Sequence, residues 1–377
     1  MSKQYRVGII GFAHMHINSL ASQFGQHPQV TLVAGADTKP DRPEVRMGAY
    51  TRGWNIRHAQ QELGLGKMVE QYTDLLQQEQ VDIVICCAEN AKHAEVVEAC
   101  AAAGVHVIVE KPMASSLAHG LRMVRAAQAS GIKVVVNWPL TWSAAARKAK
   151  ALLDEGAIGR VIEVKWRGGH LGPLGYGVSH PGVNEAAGPM SGVERGATWW
   201  HQQATGGGAM LDYCCYGSMV ARWYIGEQAL AAIGMRANLN SQWGDADDNA
   251  AMIVRFPGAM ALFEGSWTTI DHGVAPGPIV YGTEGTLVVE RPKGGAERVR
   301  VVKAGGESTE YAAEPVAGEP QNIAQAFIDH LDYGTPLHRT LDLDFNLEAM
   351  AILDAGVRAA ESGKLELVEN VTWCLGG

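Results

Sequence analysis

Val105-His106-Val107-Ile108-Val109-Glu110-Lys111-Pro112 decides how this chain is read. Its first five residues are apolar apart from His106, and a run of that kind is a strand buried on both faces, as parallel sheets require. The run ends in an acid, a base and a proline, at the carboxyl end of a strand, where such sheets gather their ligands. Pro112 restricts the backbone of Lys111 to extended conformations and stops a helix from starting there. Lys111 is therefore a candidate reaction centre, although a solvated Glu-Lys pair before a turn proline would look the same in isolation.

Outward from this strand, the first 140 residues alternate apolar runs with amphipathic segments. The runs are Tyr5 to Ile10, Val30 to Ala36, Val81 to Cys87, Val105 to Val109 and Val134 to Trp138. Helical patterns cover Lys92 to Ala103 and Leu117 to Ser130, the latter with Ser115 and Ser116 as caps and Gly131 as its stop. This grammar predicts an α/β domain with a doubly wound parallel sheet over residues 1–140. A helix over Ser143 to Glu155 and a strand over Val161 to Arg167 follow. Residues 168–208 then lose periodicity, are rich in glycine and proline, and read as a functional loop. After a helix from Ala209 to Ile225 come strand-like runs with no long helix between them: Ala229 to Leu239, Ala250 to Phe256, Ala259 to Trp267, Ile279 to Tyr281, Thr286 to Glu290 and Arg298 to Lys303. Residues 141–377 are thus expected to form an α+β domain on a large open, mainly antiparallel sheet, closed by helices over Gln321 to Tyr333 and Asp344 to Ser362 that can pack back on the first domain.

Composition narrows the class. The chain has 377 residues, 47% of them hydrophobic and 19% charged, as expected of a two-domain globular protein. A net charge of −9 argues against nucleic acid and anionic membranes as partners and for a small molecule. Six cysteines without framework or C-x-x-C spacing read as buried free thiols in a reducing compartment. With no cleavage pattern near the N-terminus and no apolar stretch of about 18 residues, the expected location is cytoplasmic.

Three constellations carry chemistry. The first strand runs into Gly8-Ile9-Ile10-Gly11-Phe12-Ala13-His14-Met15-His16, a degenerate G-x-G-x-x-G turn of the kind that faces a pyrophosphate with backbone amides. His16 stands where a glycine lets the helix meet the sheet, and an imidazole there holds the helix off the sheet unless its side chain points away. His14-x-His16 has no carboxylate or cysteine near it in sequence, and no metal is expected. Asp37, at the end of the second strand, suits the ribose hydroxyls of NAD and would repel a 2′-phosphate, while Arg42 and Arg46 nearby leave NADP open. Asn90 and His93 follow the fourth strand and face the same side. Finally, Gly206-Gly207-Gly208 permit close approach to a ligand, and Asp212 and Tyr216, four apart, project from one helix face.

Together these residues resemble the Gfo/Idh/MocA oxidoreductases, the family of glucose-fructose oxidoreductase and inositol 2-dehydrogenase. The resemblance runs through Glu110-Lys111-Pro112, Gly156-Ala157-Ile158-Gly159, the glycine-Asp212 helix and Gly282-Thr283-Glu284-Gly285-Thr286, and covers the chain. It implies a Rossmann first domain binding NAD(P) through Gly11, Phe12, Ala13, His14, Asp37, Asn90, His93, Glu110 and Lys111. It further implies hydride transfer to or from a secondary alcohol or ketone of a sugar, cyclitol or polyol, in a homodimer or homotetramer joined through the open sheet. Lys111, Asp212 and Tyr216 are the expected catalytic residues, with Tyr216 where the family usually has histidine and Lys111 expected to bring its phenol towards working pH. Substrate contacts are expected from Lys111, Trp138, His180, Trp200, His201 and Asp212. Glu89 stands where proline is common. A cofactor-bound sugar sensor and an NAD-dependent glycosidase are the alternative functions.

Overall fold

The structure, a computed structural model, describes residues 3–40, 42–271, 273–292, 295–316 and 318–369. Six strands form the first sheet: β1 (Tyr5–Ile10), β2 (Val30–Ala36), β3 (Met68–Val69), β4 (Ile83–Cys86), β5 (His106–Glu110) and β6 (Val134–Asn137). All are parallel, in the order β3-β2-β1-β4-β5-β6. Between them run α1 (Ile17–Gly25), α2 (Arg52–Gln61), α3 (Tyr72–Gln78), α4 (His93–Ala103) and α5 (Leu117–Ser130). The order reverses between β1 and β4, and crevices at such a switch point are where ligands sit in this architecture.

The continuous apolar runs are explained by helices on both faces. In β4 and β5, Val84, Cys86, Val107 and Val109 pack into one core with Val97, Val124 and Met123, while Ile83, Ile85 and Ile108 face another with Ile17, Leu20 and Phe24. Side chains alternate across a strand, so burial of both sets needs a layer on each side. The helix at 117–130 starts with the Ser116 hydroxyl accepting from His119 N and stops at Gly131 in the left-handed region, as its sequence predicts.

Past a turn at Pro139–Trp142 and α6 (Ala144–Asp154) comes the second sheet. Its strands are β7 (Val161–Gly169), β8 (Ala231–Ala237), β9 (Asn249–Arg255), β10 (Met260–Ser266), β11 (Ile279–Gly282), β12 (Gly285–Glu290), β13 (Arg298–Lys303), β14 (Ser308–Ala312) and β15 (Glu366–Leu367). They lie in the order β14-β13-β12-β11-β7-β10-β9-β8-β15, antiparallel except for β7 beside β10. That parallel pair, the short strands β3, β14 and β15, and helices α2 and α3 are additions to the sequence reading. Residues 168–208 are not featureless either. They contain α7 (Gly192–Gly196), started by a capping box of Ser191 and Glu194, and turns at Trp199–His201 and Gln203–Thr205.

One face of the second sheet is covered by α6, α8 (Cys215–Ile225) and α10 (Leu343–Ser362). The other leaves Ile162, Ile233, Met235, Ile253 and Met260 exposed. The closing helix α9 (Ile323–Tyr333) does not join this layer. It returns to the first sheet, where Ile323 and Phe327 pack with Val7, Ile9 and Leu20, and Asp332 Oδ1 accepts from the Tyr5 hydroxyl at 2.7 Å. No helix among the described residues is long and apolar enough to cross a membrane.

The α8 layer meets the sheet closely at Gly217, where a methyl group would overlap the fully buried ring of Phe263 on β10. A Gly217→Ala variant should therefore lose about 1 to 3 kcal/mol of unfolding free energy from overpacking, measured by urea denaturation. A variant as stable as wild type would show that this contact can relax.

Candidate active site

Lys111 leaves the end of β5 and is 2% exposed. A charge in that position needs partners, and α8 and the turn before it supply them from the layer that covers the second sheet. Lys111 Nζ donates to Asp212 Oδ1 at 2.7 Å and to the Asp212 carbonyl at 3.1 Å, and lies 4.7 Å from the centroid of the Tyr216 ring. The second carboxylate oxygen of Asp212 accepts from Trp267 Nε1 at 3.0 Å. The sequence predicts one α-helix over 209–225, but Met210–Cys214 is a π-helical turn, a feature found disproportionately at functional sites. The Asp212 carbonyl, which lies in that turn, accepts from the lysine.

Electrostatics follow from this geometry. Burial disfavours the Lys111 ammonium, but the Asp212 carboxylate, with Tyr216 and Cys215 adding to it, outweighs burial and raises its pKa well above the usual range. Burial also opposes the Asp212 carboxylate, and Lys111 and His170 overcome it, so its pKa is lowered. Tyr216 departs from expectation. Burial pushes its phenol up, and the opposing effect of Lys111 is too small to reverse this. The ring is stacked on Trp166 and set edge-on to Trp138, and it is the ring that the ammonium contacts. Tyr216 thus keeps its proton at working pH.

The turn after β1 faces the same cleft. Gly11 has φ +83°, and a Cβ there would lie 2.5 Å from the Ala88 backbone, so only glycine suits the position. Asp37 Oδ1 accepts from Phe12 N at 3.0 Å and from Arg52 Nη1 at 2.6 Å. Arg52 continues to Glu89, whose other oxygen accepts from the Thr38 hydroxyl at 2.7 Å. Glu89 in the place of a proline is therefore the counter-charge of a buried arginine. His16 reaches the carboxyl edge of the first sheet, where its Nδ1 lies 2.8 Å from Glu110 Oε1, and α1 starts only at Ile17. Glu110 Oε2 accepts from Asn137 Nδ2 at 2.7 Å.

The 168–208 segment closes over this turn. Trp199 Nε1 donates to the Ala13 carbonyl at 2.9 Å, and the Trp200 ring meets that of His14 edge-on at 4.8 Å. His14 is 2% exposed, and burial lowers its pKa well below the usual imidazole range. His180 lies 6.2 Å from the His16 ring and 4.8 Å from that of Tyr50, and burial lowers its pKa to about 4.

Several of the expected ligand contacts also hydrogen-bond or pack within the protein. His93 has both ring nitrogens at 3.2 Å from backbone carbonyls, of Pro112 and Met113 on one side and Ala88 on the other, so it braces the loop after Lys111. Asn90 donates to the Gly206 carbonyl at 2.7 Å. Trp138 Nε1 donates to Asn346 on α10 at 2.6 Å. His201 packs between Trp243 and Trp267. The three glycines make room for the protein itself, with Asn90, the Trp199 and Trp200 carbonyls and Asp247 where side chains would be. Arg42 and Arg46 reach Gly196 and Pro189 in the covering segment. Among residues the sequence did not assign, His170 stands out. Burial holds its imidazole below the usual range, with Asp212 opposing and Lys111 adding, and its Nδ1 has no partner among the described residues. Trp267, which fixes Asp212, is the other.

Two family profiles cover most of the chain: the NAD-binding Rossmann fold of the oxidoreductase family over residues 5–138 and the GFO/IDH/MocA C-terminal domain over residues 146–288. The chain belongs to the Gfo/Idh/MocA oxidoreductase family. Similar proteins include the 1,5-anhydro-D-fructose reductase of Ensifer adhaerens, 28% identical over 60% of this chain and 62% of that protein. Another is the myo-inositol 2-dehydrogenase of Thermotoga maritima, 23% identical over 76% of this chain and 75% of the relative. The chain thus spans less than two thirds of the reductase. Among solved structures, the WlbA dehydrogenase of Bordetella pertussis, in complex with NADH and UDP-GlcNAcA, shares the fold with a TM-score of 0.74 at 18% identity, over 98% of this chain and 99% of that one.

A Gfo/Idh/MocA enzyme is an NAD-binding oxidoreductase, and the residues here fit that cofactor at its adenosine end. The Gly11 turn is intact, and the Asp37 side chain, 20% exposed, remains accessible to a ribose. Beside that turn, Glu110 at the end of β5 meets His16, and Trp199 and Trp200 contact Ala13 and His14.

The charge pair itself is testable. Lys111→Met keeps the bulk and strands the Asp212 carboxylate, which should cost about 3 to 5 kcal/mol in urea unfolding at neutral pH. In the wild type, the share of Asp212 is present above its unfolded value of about 3.9 and lost as pH falls through its depressed one; that of Lys111 is present below about 10.4 and lost as pH rises through its raised one. Stability from this pair should be flat between about pH 5 and 9, whereas Lys111→Met should regain stability on acidification as Asp212 takes up a proton. A flat profile in the variant would mean that the pair is solvated.

Proposed function

We propose that this protein oxidises a secondary alcohol, or reduces the matching ketone, on a sugar, cyclitol or related polyol, with NAD as the preferred cofactor. The observation that carries the reading is the buried Lys111–Asp212 pair at the carboxyl end of β5. An ammonium that stays charged and is held by a carboxylate from the other domain is a fixed donor for a substrate oxygen, stronger there than in water because the surroundings exclude it. Names of relatives such as the reductase and the inositol dehydrogenase support the substrate class.

Nicotinamide, when bound, accepts or supplies the hydride. Lys111 orients the reacting oxygen and offsets negative charge on it. Asp212, pinned by Trp267, keeps the lysine aimed. His170 is neutral at working pH and is the group we assign to take the hydroxyl proton, a role that the buried phenol of Tyr216 cannot fill while protonated. Tyr216 supports the ammonium through its ring face. The Asp37 carboxylate, 20% exposed at the end of β2, favours NAD over NADP, since it would repel a 2′-phosphate. Lys111→Ala and His170→Asn should each lower turnover at least about a hundredfold, with NADH binding retained by fluorescence. Oxidation by the wild type should fall as pH drops through the His170 value, below about 6.5, because the imidazole then gains a proton. Near-normal turnover in Lys111→Ala, across a panel of polyols with NAD and NADP, would refute the mechanism.

The open face of the second sheet is our candidate for homo-oligomer formation, because Ile233, Met235 and Ile253 expose apolar area on strands β8 and β9. Met235→Asp should shift the protein to monomer in light scattering. Five buried free thiols, Cys86, Cys87, Cys100, Cys214 and Cys215, suit the cytoplasm; Cys374 lies outside the described residues.

A further inference from the structure

The His14-x-His16 pair acquires in the fold what it lacks in sequence. We propose that His14, His16 and Glu110 form a binding site for a divalent transition-metal ion. One donor atom from each residue lies within 4.8 Å of the others. Two imidazoles and one carboxylate are the donor set that zinc, iron(II), cobalt and manganese accept, with positions left over for water or substrate oxygens. The donors of a bound ion stand about 3 to 3.5 Å apart, given metal-ligand bonds near 2.1 Å, so small side-chain rotations complete the site.

Three features separate this cluster from an ordinary group of histidines. His14 Nε2 is buried without a partner among the described residues, and such a nitrogen is costly unless something answers it. Glu110 is oriented: while Oε1 meets His16 Nδ1 at 2.8 Å, Oε2 is held by Asn137 Nδ2 at 2.7 Å, the outer-shell hydrogen bond that ligating carboxylates keep. The cluster also spans the ends of β1 and β5, the two strands flanking β4, at the crevice where this sheet places ligands. Binding needs no redox partner: the ion takes the place of the hydrogen between His16 Nδ1 and Glu110 Oε1, and each neutral imidazole carries its hydrogen on the ring nitrogen that does not face the ion.

The site extends beyond the function proposed above and does not depend on it. An ion there would stand beside Lys111, the next residue after Glu110, and its open positions suit neighbouring hydroxyl or keto oxygens of a polyol. It would also contend with the reactive end of the dinucleotide for the same space.

The test uses the full-length protein, stripped with chelator and titrated with Co²⁺. One equivalent should bind with visible ligand-field absorption and be displaced by Zn²⁺. His16→Ala and Glu110→Gln should each weaken binding at least about a hundredfold, with unchanged circular dichroism; His16 is the less buried histidine, with a side chain 18% exposed. Asp37→Ala, at the far end of the cleft, should leave cobalt binding intact while weakening NADH binding by fluorescence, so failure of the metal site and failure of the dinucleotide reading are told apart. The proposal is overturned if stripped protein gives no cobalt spectrum, or if folded His16→Ala binds cobalt as wild type does.

Discussion

A lysine taken out of water at the end of a parallel strand must find its opposite charge, and here that charge comes from the layer against the other sheet. Lys111 belongs to the first sheet and Asp212 to the turn that begins the helical layer of the second. The π-helical turn, the glycines that let 206–208 pass against Asn90 and Asp247, and the indole of Trp267 all serve to deliver one carboxylate to one ammonium. Breaking such a pair leaves a charge buried alone, which costs far more than the intact pair contributes. The relative placement of the two domains at the cleft is therefore tied to the chemistry there.

The fold was largely legible because its signals are local. Apolar runs such as 83–86 and 106–110 admit only a strand covered on both sides, and Ser116 and Gly131 bound their helix by capping physics alone. Strands β14 and β15 carry no such signal. Ser308–Ala312 is mostly exposed and Glu366–Leu367 is two residues long, so sheet pairing, not pattern, makes them strands. The π-helical turn was invisible for a related reason: periods of 3.6 and 4.4 residues cannot be told apart over five positions.

The site was legible where residues are adjacent and obscure where they meet only in space. The contact between Lys111 and Asp212 could be anticipated because each sits in a telling local setting. The tuning of Tyr216 was misjudged because sequence places it near a lysine but cannot say that the ammonium meets the ring or that burial dominates. His93 and Asn90 are placed by strand position, but only the fold shows that their side chains also meet backbone carbonyls. Glu110 lies 94 residues from His16; only the fold makes neighbours of them.

The return of α9 to the first sheet has a consequence for how the chain is made. Ile323 and Phe327 cover Val7 and Ile9, strands that leave the ribosome first, with helices that leave it almost last. At about 5 to 20 residues per second, roughly 10 to 40 s pass between completion of β6 and completion of α9. For that interval the nascent first domain carries an uncovered apolar face. A truncation before residue 323 would leave that face uncovered permanently.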